Sequence, residues 1–304
     1  MRIAVVGLDV QGRKRCAVAG GQVAATVDPV APGADHSSIF KVPLDSFDAA
    51  CVCVPDQEKF PVLRYLLTNS KHVLVEKPLL AERAEIQELI QLTKSNGVAC
   101  YTAYNHRFEP HILRLKQILD KKTLGPIYLA RFFYGNGTAR DVRNSPWRDA
   151  GLGVMADFGS HLLDISLFLF GTREVSAEVW SVHCFENKAP DHVLFGLEGR
   201  PTLEMEATLL SWRNTFTLDV YGELGSAHVN CLCKWGPSIL TVRQRVFPSG
   251  RPEETVETIE QPDPTWKAEH DHFLALCRGG GTNLENDLWI QARLRQLAAS
   301  AGLS

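Results

Sequence analysis

Ile3-Ala4-Val5-Val6-Gly7-Leu8-Asp9-Val10-Gln11-Gly12 sets four apolar residues before a turn bounded by two glycines. The apolar run is largely β-branched and unbroken, the pattern of a strand buried on both faces. The dinucleotide fingerprint is G-x-G-x-x-G between such a strand and a helix. Gly7 and Gly12 supply the first and third glycines, and Asp9 stands in the middle. A glycine there lets the backbone approach a pyrophosphate; a side chain crowds it, and a carboxylate repels it. The helix N-terminus still offers free N–H groups and partial positive charge. Asp28 lies 21 residues after Gly7, closing the next apolar run. An acidic residue at that place meets the adenosine ribose hydroxyls. No basic residue follows it to hold a 2′-phosphate, so NAD is preferred over NADP. On this reading Gly7, Asp9, Val10, Gln11, Gly12 and Asp28 are the nucleotide-binding candidates. A plainer reading stays open: two glycines shape a tight turn, and Asp9 caps a helix.

Working outward, short apolar runs recur at Ile3–Val6, Val23–Val27, Ala50–Val54, His72–Val75 and Val98–Thr102. Helical segments separate them, as in Ala81–Ser95, where Ile86, Leu89, Ile90 and Thr93 fall at helical spacing. Strands alternating with helices predict a parallel sheet covered by helices. Residues 29–48 contain Pro29, Pro32, Gly33 and Pro43, and predict no full helix. Beyond Gly125-Pro126 the pattern changes. Phe216, Leu218 and Val220 alternate with Thr217, Asp219 and Tyr221, and Leu240, Val242 and Val246 with Thr241, Arg243 and Arg245. Similar runs occupy 127–134, 175–185, 192–198 and 202–211, with helical segments at 157–170, 266–278 and 284–301. The predicted fold is α/β. A doubly wound Rossmann domain spans 1–125. An α+β domain with a large, mostly antiparallel open sheet spans 126–304.

Two constellations carry chemistry. In Val73-Leu74-Val75-Glu76-Lys77-Pro78 two charges and a proline follow an apolar strand. Ligands in open α/β sheets sit outside the carboxyl ends of strands, which is where Lys77 stands. A solvated lysine paired with Glu76 is the alternative. The second is Gly151-Leu152-Gly153-Val154-Met155-Ala156-Asp157-Phe158-Gly159-Ser160-His161-Leu162-Leu163-Asp164. If 157–170 is one helix, Asp157, His161 and Asp164 share a face. A carboxylate beside an imidazole fixes its tautomer and raises its basicity, as a proton acceptor from an alcohol requires. The alternative is a buried histidine satisfied by helix neighbours, with Asp157 as N-cap.

Taken with Tyr104-Asn105-His106-Arg107-Phe108 and Trp147-Arg148, in this order, these motifs resemble the Gfo/Idh/MocA family of sugar, inositol and related dehydrogenases. The resemblance runs over nearly the whole chain. It implies a Rossmann domain followed by an α/β domain with a large open sheet. It implies that Lys77 contacts the nicotinamide ribose and the substrate hydroxyl, and that Glu76 and Pro78 flank it at the cofactor. It makes His161 the general acid/base with Asp157 as its partner. Asn105 and Arg107 would line the pocket near the nicotinamide, and Trp147 and Arg148 would lie close to the substrate. Val54 and Pro55 match a loop near the cofactor. The family often has Asn after that proline and His three residues on; here they are Asp56 and Lys59. Members often associate through the open sheet face, so a homodimer or homotetramer is expected.

Composition narrows the alternatives. Over 304 residues the formal charge is −3, which excludes a strongly basic nucleic-acid binder, and 45% hydrophobic residues exclude a disordered chain. The most apolar stretch, Leu162–Phe170, is nine residues long and interrupted by Asp164, too short to span a bilayer. Ile3–Val6 is too short for a secretory signal, and the basic run Arg13–Arg15 follows it, so the expected location is the cytoplasm. Eight cysteines contain no C-x-x-C; the Cys51/Cys53 and Cys231/Cys233 pairs lie in apolar, strand-like runs and read as buried thiols. His270 and His272 are two apart, and there is no H-E-x-x-H, so no metal is expected. Arg140, Arg143 and Arg148 are either a diphosphate site or solvated charges. The functional expectation is hydride transfer between a nicotinamide and a carbinol or carbonyl carbon of a sugar, cyclitol or sugar derivative. The alternatives are a non-catalytic dinucleotide- or ligand-binding regulator of the same fold, and a reductase of a non-sugar substrate.

Overall fold

The β-branched runs become the strands of a six-stranded sheet. The structure, a computed structural model, describes residues 1–172 and 174–303. β1 (Ile3–Val6) leads into α1 (Val10–Ala19), and β2 (Val23–Val27) follows. Residues 29–48 hold only two short 3-10 turns, as their prolines predict. Next come β3 (Ala49–Val52), α2 (Asp56–Thr68), β4 (His72–Glu76), α3 (Arg83–Asn96) and β5 (Ala99–Ala103). The third strand thus ends two residues earlier than its apolar run, leaving Cys53, Val54 and Pro55 as loop. Every pairing in this sheet is parallel, and β1 lies between β2 and β3. The strand order reverses there, so the loops after β1 and β3 leave the sheet at its switch point. β1, β3 and the middle of β4 are fully buried, which explains their unbroken apolar character.

The second sheet has eight strands. α4 (Pro110–Asp120) precedes β6 (Ile127–Gly135), α5 (Ala139–Arg143) and α6 (Ser160–Phe170). The remaining strands are β7 (Ala177–His183), β8 (His192–Leu197), β9 (Thr202–Thr208), β10 (Thr215–Gly222), β11 (Gly225–Asn230), β12 (Ser238–Gln244) and β13 (Glu253–Ile259). Their order is β13-β12-β11-β10-β6-β9-β8-β7, antiparallel except for β6 beside β9. Phe216, Leu218 and Val220 are buried and their alternates half-exposed, as the alternation predicts. The Cys231/Cys233 pair is not in a strand: Cys231 has positive φ and Cys233 lies in a 3-10 turn. Cys184 is exposed, so the thiols are not uniformly buried. α7 (Thr265–Gly279), β14 (Gly281–Thr282) and α8 (Leu284–Ser300) close the chain.

The chain forms two compact units, and they do not divide at 125. The first comprises Met1–Asn105 with Thr265–Gln291, and the second comprises His106–Pro264 with the residues after Gln291. α4 buries His111, Ile112, Leu115 and Ile118, and packs on α6, β11 and β12, which takes it into the second unit. In the first unit α7 packs on α1 and β5, while β14 adds a parallel edge strand beside β5. Among the described residues, no helix is long and apolar enough to cross a membrane.

Candidate functional site

In the first unit, β1 delivers Gly7 into a crowded turn. Gly7 has φ +88°, and a Cβ there would stand 2.4 Å from the Cys53 carbonyl oxygen. A Cβ on Gly12 would stand 1.8 Å from the Gly7 oxygen. Both glycines are therefore required by the close approach of α1 and β3 to the turn. Asp9 has φ −72° and ψ −167°, ordinary extended backbone that needs no glycine. It occupies the N-cap position, but its side chain makes no capping hydrogen bond, which corrects the capping reading. Asp9, Val10 and Gln11 are exposed, so the start of α1 faces outward with its N–H groups uncapped by that carboxylate. These features fit a pyrophosphate at the helix N-terminus, with the Asp9 charge as the opposing element.

Asp28 closes β2 and shapes the same turn. Its Oδ2 accepts the Leu8 N–H at 2.8 Å, and Oδ1 accepts those of Val30 and Ala31 at 2.9 and 2.8 Å. Burial works to raise its pKa, but these three N–H donors outweigh it and hold the carboxyl below its ordinary range. A carboxylate has about four acceptor positions, so about one is left for a ribose hydroxyl.

The loop after β4 carries Lys77, half-buried, followed by a cis peptide to Pro78. Glu76 is engaged by Arg15 of α1 at 2.7 Å, and Arg15 also pairs with Glu269 of α7 at 2.7 Å. Arg15 is 1% exposed and stacks over Trp266 at 4.4 Å. Lys59 of α2 is 3% exposed; its Nζ donates to the Pro78 carbonyl and pairs with Asp56, each at 2.6 Å. Val54 precedes this helix and Pro55 is its N-cap. Asn105 is buried and donates to Thr265 Oγ1 at 2.7 Å.

In the second unit, the segment expected as one helix over 157–170 has a break in period. Met155–Gly159 forms a π turn ahead of α6. Its wider turn lengthens the period ahead of His161, so the segment is not the plain α-helix assumed for the i, i+4 spacing. Asp157 lies 3.8 Å from Arg148. Asp164, fully buried, accepts a two-bond fork from Arg107 at 2.7 and 2.6 Å. Burial lifts the Asp164 carboxyl above its ordinary range against the pull of Arg107. Arg107, expected to line the pocket, thus has its guanidinium on α6.

His161 is 5% exposed and stacks on His106, with ring centroids 4.1 Å apart. Lys234 Nζ lies 3.1 Å from His106 Nε2. Tyr134 of β6 meets His161 edge-on at 6.0 Å and stacks on Phe158 at 4.1 Å. Burial pushes the Tyr134 phenol pKa well up, keeping it neutral. Trp147 is 65% exposed on the loop after α5. Asp149 anchors that loop by accepting the Lys188 and Ala189 N–H groups at 2.7 and 2.9 Å. Arg143 pairs with Glu186 at 2.6 Å, which favours the solvated reading of that arginine.

Sequence reasoning missed Arg15, His106 and Lys234 as parts of these clusters. For Arg15 the signal was present: Gly12, Arg15 and Ala19 form the buried face of α1. It was hidden inside a basic run. His106 lay within a quoted motif, but nothing local showed that it stacks on a residue 55 positions away.

Two family models match the chain. The oxidoreductase family, NAD-binding Rossmann fold, matches residues 1–104, and the GFO/IDH/MocA C-terminal domain matches residues 112–228. Trans-1,2-dihydrobenzene-1,2-diol dehydrogenase of Mus musculus is 27% identical over 211 residues, 66% of this chain and 60% of that enzyme. The chain therefore spans less than two thirds of that relative. A Desulfitobacterium hafniense structure described as an NADPH-dependent oxidoreductase superposes with a TM-score of 0.85 at 17% identity, covering 98% of this chain and 94% of that one. Levoglucosan dehydrogenase in complex with NADH gives 0.84 at 18% identity, covering 99% and 97%. At such identities these two structures establish the fold.

Proposed function

The chain belongs to the Gfo/Idh/MocA family of oxidoreductases, and from that premise we propose that it passes a hydride between NAD and a carbinol carbon of a sugar, cyclitol or related diol. The observation that carries this reading is His161: a buried imidazole stacked on His106 and walled by Tyr134. Such walls suit the apolar C–H faces of a ring substrate, and the imidazole supplies the proton acceptor. His161 takes the hydroxyl proton in oxidation and returns it in reduction. Asp157 is its orienting carboxylate. Lys77 donates a hydrogen bond to the same oxygen and favours its negative charge. When bound, the nicotinamide supplies the hydride acceptor or donor. Gly7, Val10, Gln11, Gly12 and Asp28 hold the dinucleotide, with Val54, Pro55, Glu76, Pro78 and Asn105 beside it. Asp28 excludes a 2′-phosphate by charge, so NAD is preferred over NADP. Trp147 and Arg148 contact the substrate, with Arg107 positioned by Asp164.

The test is reduction of NAD with a panel containing myo-inositol, levoglucosan and trans-1,2-dihydrobenzene-1,2-diol. Turnover on at least one is expected, and His161→Ala and Lys77→Ala each lose about 100-fold or more, the low end for positioned acid–base groups. Near-wild-type turnover in both variants refutes the mechanism. The non-catalytic reading draws on Asp9; failure of both NADH and NADPH to bind in a fluorescence titration would favour it.

Two further parts of the reading concern state and place. The outer face of the eight-stranded sheet presents half-exposed Leu129, Phe133, Thr217 and Tyr221, and copies of the chain associate there as a homodimer or homotetramer. A monomer by light scattering at working concentration refutes that. All eight cysteines are free thiols, which suits the reducing cytoplasm as its location.

A further inference from the structure

Three residues flanking Lys77 are held by side chains from three helices. Arg15 of α1 takes Glu76, Lys59 of α2 takes the carbonyl of Pro78, and Gln291 of α8 donates to the carbonyl of Leu79 at 2.5 Å. Residues 77–82 belong to no strand or helix, so no ladder fixes this backbone. Lys59 acts on the residue directly after Lys77. On α2 the buried face is Lys59, Val62, Leu63, Leu66 and Leu67, so the ammonium occupies a position where an apolar side chain would be ordinary. A buried charge persists when it is paired and hydrogen-bonded. Lys59 is both: the Asp56 carboxylate balances its charge and the Pro78 carbonyl accepts a hydrogen bond from it. The two departures from the family pattern in this loop are thus partners of each other.

We propose that Lys59, with Asp56 as its counter-ion, is a positioning residue that fixes where the Lys77 ammonium stands, resting on the reading of Lys77 as the group that meets the substrate hydroxyl. Lys59 touches neither substrate nor cofactor in this role. It holds the Pro78 carbonyl, and the proline ring carries that constraint back to Lys77 because its φ is locked. Arg15 braces the strand side of the same loop through Glu76. Loss of the Lys59 bond frees the loop locally and leaves the sheet in place.

The test reads Lys77 directly, without turnover. The full chain is treated with pyridoxal 5′-phosphate and borohydride, and modification of each lysine is followed by peptide mass spectrometry. In Lys59→Met, of similar volume and no charge, Lys77 is modified about threefold faster or more, the mark of a locally opened loop. Lys59→Arg keeps a donor for Pro78 and returns the rate toward wild type. Lys71, which donates to the Phe47 carbonyl elsewhere in the same unit, keeps its wild-type rate. An unchanged Lys77 rate in a folded Lys59→Met protein overturns the proposal, and so does a parallel rise at Lys71, which would mean general loosening. If Lys59→Met does not fold, Asp56→Asn decides by the same criteria. Wild-type turnover in Lys77→Ala would instead remove the catalytic reading of Lys77 and leave the labelling result standing.

Discussion

Arg107 closes a two-bond fork on Asp164, with Nε and a terminal nitrogen at 2.7 and 2.6 Å from the two carboxylate oxygens. The carboxylate is fully buried and the guanidinium partly exposed, over Phe168 at 5.5 Å. Removing the cation strands a buried charge. Arg107→Met should therefore destabilise the protein by about 3–5 kcal/mol. Arg107→Met with Asp164→Leu should recover most of that loss, because both partners then become apolar. Denaturant melts check it; equal instability in the single and double variants would contradict the pairing.

The Asp9 carboxylate makes no capping bond to α1, so its removal carries little structural cost, and on the proposed reading it relieves repulsion of the phosphates. Asp9→Asn should tighten NADH binding several-fold, about the value of one surface charge at close range. The gain should shrink as salt approaches about 1 M, where the screening length is about 3 Å. Nicotinamide fluorescence titrations at two ionic strengths measure both. Weaker binding would show that Asp9 serves the cofactor.

Two buried histidines and the half-buried His72 set an acid limit on stability. Burial lowers the pKa of His72, His111 and His270 from the ordinary 6.5. His72 Nδ1 accepts the Ala99 N–H at 2.9 Å, so its neutral form is the native one. The unfolded chain binds protons near 6.5 that the folded chain refuses. Their contribution is thus complete above that value and lost as pH falls through the depressed ones. The melting temperature should drop between about pH 7 and pH 5, with a shallower slope in His72→Gln, which keeps an acceptor without a titrating ring. Identical slopes would assign the drop to other groups.

Asp149 holds the Trp147–Arg148 loop by two backbone donors. Asp149→Ala leaves both N–H groups without that acceptor, at about 1–3 kcal/mol each. The variant should be cleaved faster by trypsin after Arg148 than wild type. A higher KM for the substrate, with NADH affinity unchanged, is expected alongside. Unchanged cleavage would show the loop held by other means.

The parallel sheet was legible because its strands are buried on both faces and carry β-branched runs. The alternation in β10 was legible too; in β12 it holds only in part, since Val242 is half-exposed and Val246 lies beyond the strand, exposed. β13 was not legible: Glu253-Glu254-Thr255-Val256-Glu257-Thr258-Ile259 is an edge strand, mostly exposed, with no buried face to enforce a pattern. The unit boundary was misplaced because the helix after Asn105 reads like another sheet-covering helix. Only its partners, α6, β11 and β12, assign it elsewhere. In the site, Gly7 and Gly12 were readable since their crowding is local. The fork from Arg107 to Asp164 and the stack of His106 on His161 join residues more than fifty positions apart, which no spacing rule reaches. The π turn was hidden because it is one residue of extra winding inside an otherwise apolar helix.

The return of residues 265–291 to the first unit bears on how the chain is made. Glu269, one of the two carboxylates that neutralise Arg15, emerges from the ribosome only after all of residues 106–264. Until then α1 carries a charged side chain on its inner face without that partner, and β5 lacks the edge strand β14. The first sheet to be synthesised is thus among the last to be finished, and its completion waits on a segment that lies beyond the whole second sheet.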